Sequence, residues 1–71
     1  MTTIAVVRIG KSVRELRING FMSQAELSKA AGISPAHLGR IERNEHEPHF
    51  STIKKLAKAL SVEPADLVDR E

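Results

Sequence analysis

The amino-acid sequence predicts an all-α fold built from five short helices. Leu, Ile, Val and Ala recur at helical spacing along nearly the whole chain, whereas Phe21 and Phe50 are its only large aromatic residues. Ser, Asn, Gly and Pro separate these stretches in the order typical of helix ends. A chain of 71 residues has room for one domain with one modest core. We therefore expect one helical domain over residues 8–71 and an N-terminal arm over residues 1–7.

The first helix is predicted over Arg8–Asn19. Ile9, Val13 and Leu16 stand at positions i, i+4 and i+7, so they share one face of a helix. We expect the helix to end at Asn19-Gly20, because this pair tolerates the left-handed conformation found at helix C-termini.

The second helix, predicted over Gln24–Ala31, has the sharpest start in the sequence. Ser23 and Glu26 are spaced as a capping box, in which each side chain accepts a hydrogen bond from the other residue's amide. The helix should stop at Gly32, since glycine makes the chain reversal there without Cβ strain.

The third helix is predicted over Pro35–Asn44. Ser34 serves as its N-cap, and Pro35 occupies the first position, where the missing N–H costs nothing. Leu38 and Ile41, three residues apart, are expected to point inward.

Two further helices are predicted over Thr52–Leu60 and Pro64–Val68. Ser51 is expected to cap the former. In the latter, Val62 and Pro64 have the same spacing as Ile33 and Pro35 at the start of the third helix. The fourth helix should bury Ile53, Leu56, Ala57 and Leu60 and expose Lys54, Lys55 and Lys58.

The composition argues against an enzyme, a metal protein or a membrane protein. The chain has no cysteine, a glycine-rich phosphate loop and a Ser-His-Asp arrangement are lacking, and His46 and His49 lie in a polar loop without a third fixed ligand. No stretch approaches the roughly 20 apolar residues of a membrane span, and the N-terminus lacks a signal-peptide pattern. We expect a cytoplasmic protein without catalytic residues, cofactor or metal.

The charges are distributed unevenly along the chain. Up to Asn44 there are seven basic and three acidic side chains, whereas from Glu45 onward there are four basic and six acidic ones. The basic part suits contact with phosphates, and the acidic part suits docking of a protein partner.

Residues 24–43 have the spacing of a DNA-binding helix-turn-helix: two helices of about eight or nine residues joined by a glycine-containing turn. A rotation of 100° per residue places Ala36, Gly39, Arg40 and Arg43 on the side opposite the inward residues. Arg40 has the right chemistry for a bidentate contact with guanine, Ala36 for a thymine methyl, and Gly39 for close approach of the backbone. The sequence therefore predicts that the third helix enters a major groove of double-stranded DNA.

The segment Ser23–Arg43, SQAELSKAAGISPAHLGRIER, resembles the helix-turn-helix of the Cro and lambda-repressor family, also called XRE regulators. The similarity extends from about Ile9 to Val68 and includes the Leu-Ala-x-x-Leu-x-Val run at residues 56–62. It implies a five-helix, lambda-repressor-like domain that binds a two-fold-symmetric operator as a homodimer.

The resemblance also implies roles for individual residues. Gln24 matches a phosphate contact at the N-terminus of the second helix. The base-reading and groove-facing positions of the family are matched by Ser34, Pro35, Ala36 and Arg40. His37 and Arg43 match contacts to the DNA backbone. Arg17 and Glu42 match a partly buried ion pair between the first and third helices.

The sequence departs from the family pattern at several positions. Ser28 replaces an alanine and should pack if its hydroxyl bonds the preceding turn. Asn44 replaces a glycine, which is tolerable because Asn visits the left-handed region. Glu45 and Glu47 stand in a loop that often carries basic residues, so this loop should contribute little to DNA affinity.

The expected function is a sequence-specific transcriptional regulator of the repressor type. A homodimer would bury the apolar residues left over at the C-terminal end, Val62, Leu67 and Val68, and the arm with Ile4, Val6 and Val7 is a second candidate contact. Two alternatives stay open: an antitoxin or restriction-system controller of the same fold, and a protein-interaction module without DNA binding.

Overall fold

The computed structural model describes residues 8–69, which form four α-helices and a closing 3₁₀ turn. Helix α1 covers Gly10–Asn19, α2 covers Gln24–Ala31, α3 covers Pro35–Glu42, α4 covers Phe50–Leu60, and the 3₁₀ turn covers Pro64–Leu67. Residues 8–69 contain no strand, so the all-α prediction is confirmed for them. The predicted arm over residues 1–7 lies outside the described residues. No helix of the described part is long and apolar enough to cross a bilayer.

The predicted fifth α-helix is only a single 3₁₀ turn. After Leu67 the backbone of Val68 is extended, with φ −71° and ψ 124°. The chain leaves the helical path because Asp69 turns toward α1: its amide donates to the carbonyl of Arg8 over 2.7 Å. Its carboxylate also accepts from the amides of Ser12, at 2.8 Å, and Lys11, at 3.3 Å.

Helix α1 begins at Gly10, two residues later than predicted, and is capped by residues far away in the sequence. Ile9 is not helical, with φ −128°, and gives the helix no side-chain cap. Instead, the Oδ1 atom of Asn44 accepts from the amide of Gly10 over 3.1 Å, and Asp69 accepts from the next two amides. These contacts satisfy helix-end donors that would otherwise be orphaned and tie both ends of the domain together.

The left-handed residue after α1 is Phe21 and not a residue of the predicted Asn19-Gly20 pair. Gly20 has φ −87°, whereas Phe21 has φ 57° and a side chain that is 95% exposed. Helix α1 itself ends at Asn19, as predicted, and the amide of Met22 donates to the carbonyl of Arg17 over 3.0 Å to close this end.

The starts of α2 and α3 agree with the prediction. Ser23 and Glu26 form both hydrogen bonds of the capping box, at 3.0 Å and 2.9 Å. Gly32 is left-handed, with φ 73°. Ser34 accepts from the amide of His37 over 3.1 Å and caps α3. Helix α3 ends at Glu42, two residues before the predicted end, because Asn44 is left-handed, with φ 56°, as its residue type predicts.

Helix α4 begins at Phe50, two residues before the predicted start, and the predicted cap Ser51 lies inside it. His49 is the N-cap residue, and its carbonyl accepts from the amides of Thr52 and Ile53. Thr52 and Ile53 are both buried.

The core lies between α2, which packs on both α3 and α4, and the residues of α1 and the 3₁₀ turn. Its buried apolar residues are Ile9, Val13, Leu27, Ala31, Leu38, Ile41, Ile53, Leu56, Ala57 and Leu67. Ser28 is also buried, and its hydroxyl donates to the carbonyl of Ala25 over 3.0 Å, as predicted. Leu67 has no exposed surface. Its predicted part in a dimer interface is therefore wrong, since its side chain is used inside the domain.

Candidate nucleic-acid interface

Helices α2 and α3 form the predicted helix-turn-helix. Three residues, Gly32, Ile33 and Ser34, join the helices. Leu27 and Ala31 of α2 and Leu38 and Ile41 of α3 are buried in the shared core, and Ile33 packs against it. This packing fixes the angle between the helices and leaves the opposite side of α3 to solvent.

The solvent-facing side of α3 carries most of the residues predicted to read DNA bases. Ser34, Pro35, Ala36 and Arg40 are all exposed, while Leu38 and Ile41 on the other side are no more than 1% exposed. The exposed guanidinium of Arg40, next to the small side chain of Ala36, is suited to contact the edges of base pairs in a major groove.

Gly39 lies on the same side of α3 but is covered by the side chain of Arg43. A Cβ atom placed on Gly39 would lie 3.2 Å from Nη1 and 3.9 Å from Cζ of Arg43, with nothing else within 4 Å. The predicted close approach of the Gly39 backbone to DNA therefore requires the Arg43 side chain to move aside. The long side chain of the arginine one turn later folds back over the glycine.

Arg43 is held in this position by Glu45. The Nε atom of Arg43 donates to Oε2 of Glu45 over 2.7 Å, and more than half of each side chain is exposed. The guanidinium lowers the pKa of the Glu45 carboxyl, chiefly by this hydrogen bond. The pattern of apolar residues does not predict this pair; its only indication in the sequence is the opposite charge of Arg43 and Glu45, two residues apart just after a helix.

His37, a predicted backbone contact, is half-buried at the start of α3. Its ring meets that of His46 edge-on, with 5.1 Å between centroids, and His46 meets His49 in the same way at 6.4 Å. All three histidines of the chain thus lie in one cluster around His46. Among residues 8–69, no group of three His, Cys, Asp or Glu side chains is arranged to hold a metal ion.

The predicted ion pair between Arg17 and Glu42 is confirmed and includes a third partner. Arg17 donates to both carboxylate oxygens of Glu42, from Nε over 2.7 Å and from Nη2 over 3.0 Å. The side chains are only 14% and 4% exposed, and the carboxylate raises the pKa of the arginine. Gln24 donates from Nε2 to Oε1 of Glu42 over 3.1 Å. The pair therefore also fixes the side chain at the N-terminus of α2.

A family model described as "Helix-turn-helix" (HTH_3) matches residues 13–67. The chain belongs to this family of XRE-type, DNA-binding transcriptional regulators, which confirms the resemblance inferred from its motifs. It is 33% identical over 70 residues to the control protein C.BamHI of Bacillus amyloliquefaciens, covering 97% of this chain and 86% of that one. It also matches a longer transcriptional regulator and a longer immunity repressor, of which it spans 30% and 44%.

Solved structures share the fold. The restriction-modification controller protein C.AhdI of Aeromonas hydrophila superposes with a TM-score of 0.82 at 35% identity, covering 87% of this chain and 94% of that one. The P22 c2 repressor, solved in complex with a synthetic operator, gives 0.81 at 31% identity, covering 90% and 97%. Both are lambda-repressor-like helix-turn-helix domains.

Proposed function

We propose that this protein is a sequence-specific regulator that binds a palindromic operator as a homodimer, with α3 in the major groove. The observation that carries the proposal is the exposed side of α3, where Arg40 lies beside Ala36 at the end of a rigidly packed helix-turn-helix. A solved relative of the same fold is bound to an operator.

In this proposal, the residues divide into base readers and phosphate contacts. Arg40 contacts a base edge, with Ser34, Pro35 and Ala36 beside it in the groove. Gln24, His37 and Arg43 contact phosphates. Gln24 suits this role because Glu42 occupies one donor of its side-chain amide and leaves the other for an anion at the helix N-terminus.

The proposed dimer contact uses the apolar surface left at the C-terminal end. Val68 is 39% exposed and Val62 is half-buried, so both have surface to offer. Two copies of α3 related by a two-fold axis enter successive major grooves about 34 Å apart, and the half-sites should have that spacing. Sedimentation that shows only monomers, with and without DNA, at high micromolar concentration contradicts the dimer.

A restriction-system controller is a second candidate, because the similarity spans 86% of C.BamHI and 94% of C.AhdI. In that case, the operator lies upstream of neighbouring restriction and modification genes. Inspection of the genes on either side separates this candidate from a regulator of unrelated genes.

The decisive experiment is selection of bound duplexes from a random pool, followed by binding assays on the selected and a scrambled site over a salt series. Arg40→Ala should lose about 1 to 3 kcal/mol on the selected site and little on the scrambled one. Arg43→Ala should weaken both and reduce the salt slope by about one. If the wild-type protein shows no salt-dependent DNA binding, the proposed function is wrong and an interaction module becomes the better interpretation.

A further inference from the structure

Arg43 lies folded back against its own helix. The guanidinium lies across Gly39, and the carboxylate of Glu45 accepts from its Nε atom at 2.7 Å and from Nη2 at 3.4 Å. A carboxylate that accepts two parallel N–H groups of an arginine has the same planar geometry that a phosphate uses. Glu45 therefore occupies one bidentate edge of the guanidinium, Nε with Nη2, that Arg43 could otherwise present to a phosphate.

The pair is also placed where DNA would compete for it. Both side chains are more than half exposed, so the carboxylate is not fixed by packing. Exposed ion pairs have little net stability, and a duplex can displace the carboxylate. The displaced Glu45 would then be a negative charge two residues from the phosphate contact.

We infer that Glu45 is an affinity-limiting residue, which competes with DNA phosphate for Arg43 and lowers the affinity for DNA of any sequence. The inference rests on the proposed phosphate contact of Arg43. A duplex must displace the carboxylate before a phosphate can take its place on Arg43, so the same free-energy cost is added for every duplex. The residue thus acts on general affinity and leaves the ratio between preferred and unrelated sites unchanged.

Glu47 provides the matched control. It is exposed, lies in the same loop, and forms no ion pair with any other residue between Arg8 and Asp69. Glu45→Gln and Glu47→Gln remove the same charge, but only the former frees Arg43. Any difference between them is therefore not caused by the net charge of the loop, and since Arg40 also acts on Glu45, the Arg43→Ala background shows whether the difference depends on Arg43.

The test measures binding of both variants to the selected duplex and to a short duplex of arbitrary sequence over a salt series. Glu45→Gln should bind both duplexes roughly threefold to fivefold more tightly at about 0.1 M salt, because the loss of an exposed ion pair corresponds to no more than about a fivefold change. Glu47→Gln should gain twofold or less. In the Arg43→Ala background, Glu45→Gln should gain no more than Glu47→Gln does.

The NMR resonance of the Arg43 Nε–H group reports on the pair with Glu45 in the absence of DNA. In the free protein it should shift as the Glu45 carboxyl is protonated at acid pH, and this shift should vanish in Glu45→Gln. Equal gains for the two glutamate variants, or a gain that persists without Arg43, overturn the inference while leaving the proposed function intact. If no variant binds either duplex at any salt concentration, the proposed function fails and this inference fails with it.

Discussion

Arg17 of α1 and Glu42 of α3 are joined by two hydrogen bonds, of 2.7 Å and 3.0 Å, in a setting where the glutamate is only 4% exposed. A third donor, Nη1 of Arg17, bonds the carbonyl of Met22 over 2.9 Å. The arginine thus links α1, the segment before α2, and the end of α3. The position of the helix-turn-helix on the rest of the domain depends on this pair.

Glu42→Gln should lower the free energy of unfolding by about 2 to 3 kcal/mol, because it leaves the Arg17 charge largely desolvated without its counter-ion. Chemical denaturation measures this change. Glu45→Gln is the control, since it breaks an exposed pair and should leave the midpoint close to that of the wild type. Equal midpoints for wild type and Glu42→Gln would contradict the structural role of the pair.

The sequence predicts those parts of this fold that depend on neighbouring residues. Two helix starts can be predicted in this way, those marked by Ser23 with Glu26 and by Ser34 with Pro35. In each, the capping side chain and the amide that it caps lie within one helical turn of each other. The caps of α1 are different: Asp69 is 57 positions away from Ser12, and no local pattern indicates that they meet. No local pattern indicates the left-handed conformation of Phe21 either, since residue type alone favours Gly20 for it.

In the candidate site, too, local patterns predict some features and not others. Exposure of Arg40 and Ala36 follows from helical periodicity once the inward residues are known. The cover over Gly39 depends on the conformation of Arg43 beyond the helix end, where an arginine has many rotamers and the pattern of apolar residues says nothing.

Gly10→Ala should destabilise the domain by about 3 kcal/mol, since the new methyl has no room. Its Cβ would lie 2.5 Å from the carbonyl oxygen of Ile41 and 2.6 Å from Oδ1 of Asn44, the atom that caps α1. Gly20→Ala is the matched control, because its nearest contact is 3.4 Å and its φ is −87°. Thermal and chemical denaturation should separate the two variants clearly. A Gly10→Ala domain as stable as Gly20→Ala would mean that α1 is free to move away from α3.

Phe21→Gly should stabilise the domain by about 1 kcal/mol, because a left-handed residue with a Cβ is strained. Phe21→Ala is the informative control: it removes the same exposed ring but keeps the Cβ. We expect its unfolding free energy to stay near that of the wild type. If both variants change stability alike, the ring and not the backbone conformation is responsible.

The capping box gives stability that depends on pH. The pKa of Glu26 is lowered because its carboxylate accepts from the backbone amide of Ser23 and, second, interacts with the Ser23 side chain. A carboxyl with a depressed pKa in the folded state stabilises the fold above its unfolded pKa, about 4.3, and this contribution is lost as the pH falls through the folded value.

Glu26→Gln should therefore be less stable than the wild type near neutral pH, and the difference should close as the pH falls below about 4. Denaturation at a series of pH values measures it. Glu15→Gln is the control for the loss of one exposed carboxylate, since Glu15 forms no ion pair with any other residue in the part of the chain that the structure describes. A gap between wild type and Glu26→Gln that is constant with pH would show that the carboxylate is not the stabilising form.

Gly39→Ala should separate stability from recognition. A glycine inside a helix is less favourable than alanine by up to about 1 kcal/mol, and the added methyl meets only the flexible end of Arg43, at 3.2 Å. We therefore expect a higher unfolding free energy.

On DNA, the same methyl stands on the side of α3 that is proposed to enter the groove, between the helix backbone and the bases. It should lower affinity for the selected duplex more than for an arbitrary one, because only the preferred site requires close approach. Displacement of Arg43 would instead change both affinities together, so the ratio of the two isolates the effect of the methyl. A Gly39→Ala protein that is more stable and keeps the wild-type ratio would show that α3 does not bring its backbone near the bases, and readout would then depend on the longer side chain of Arg40.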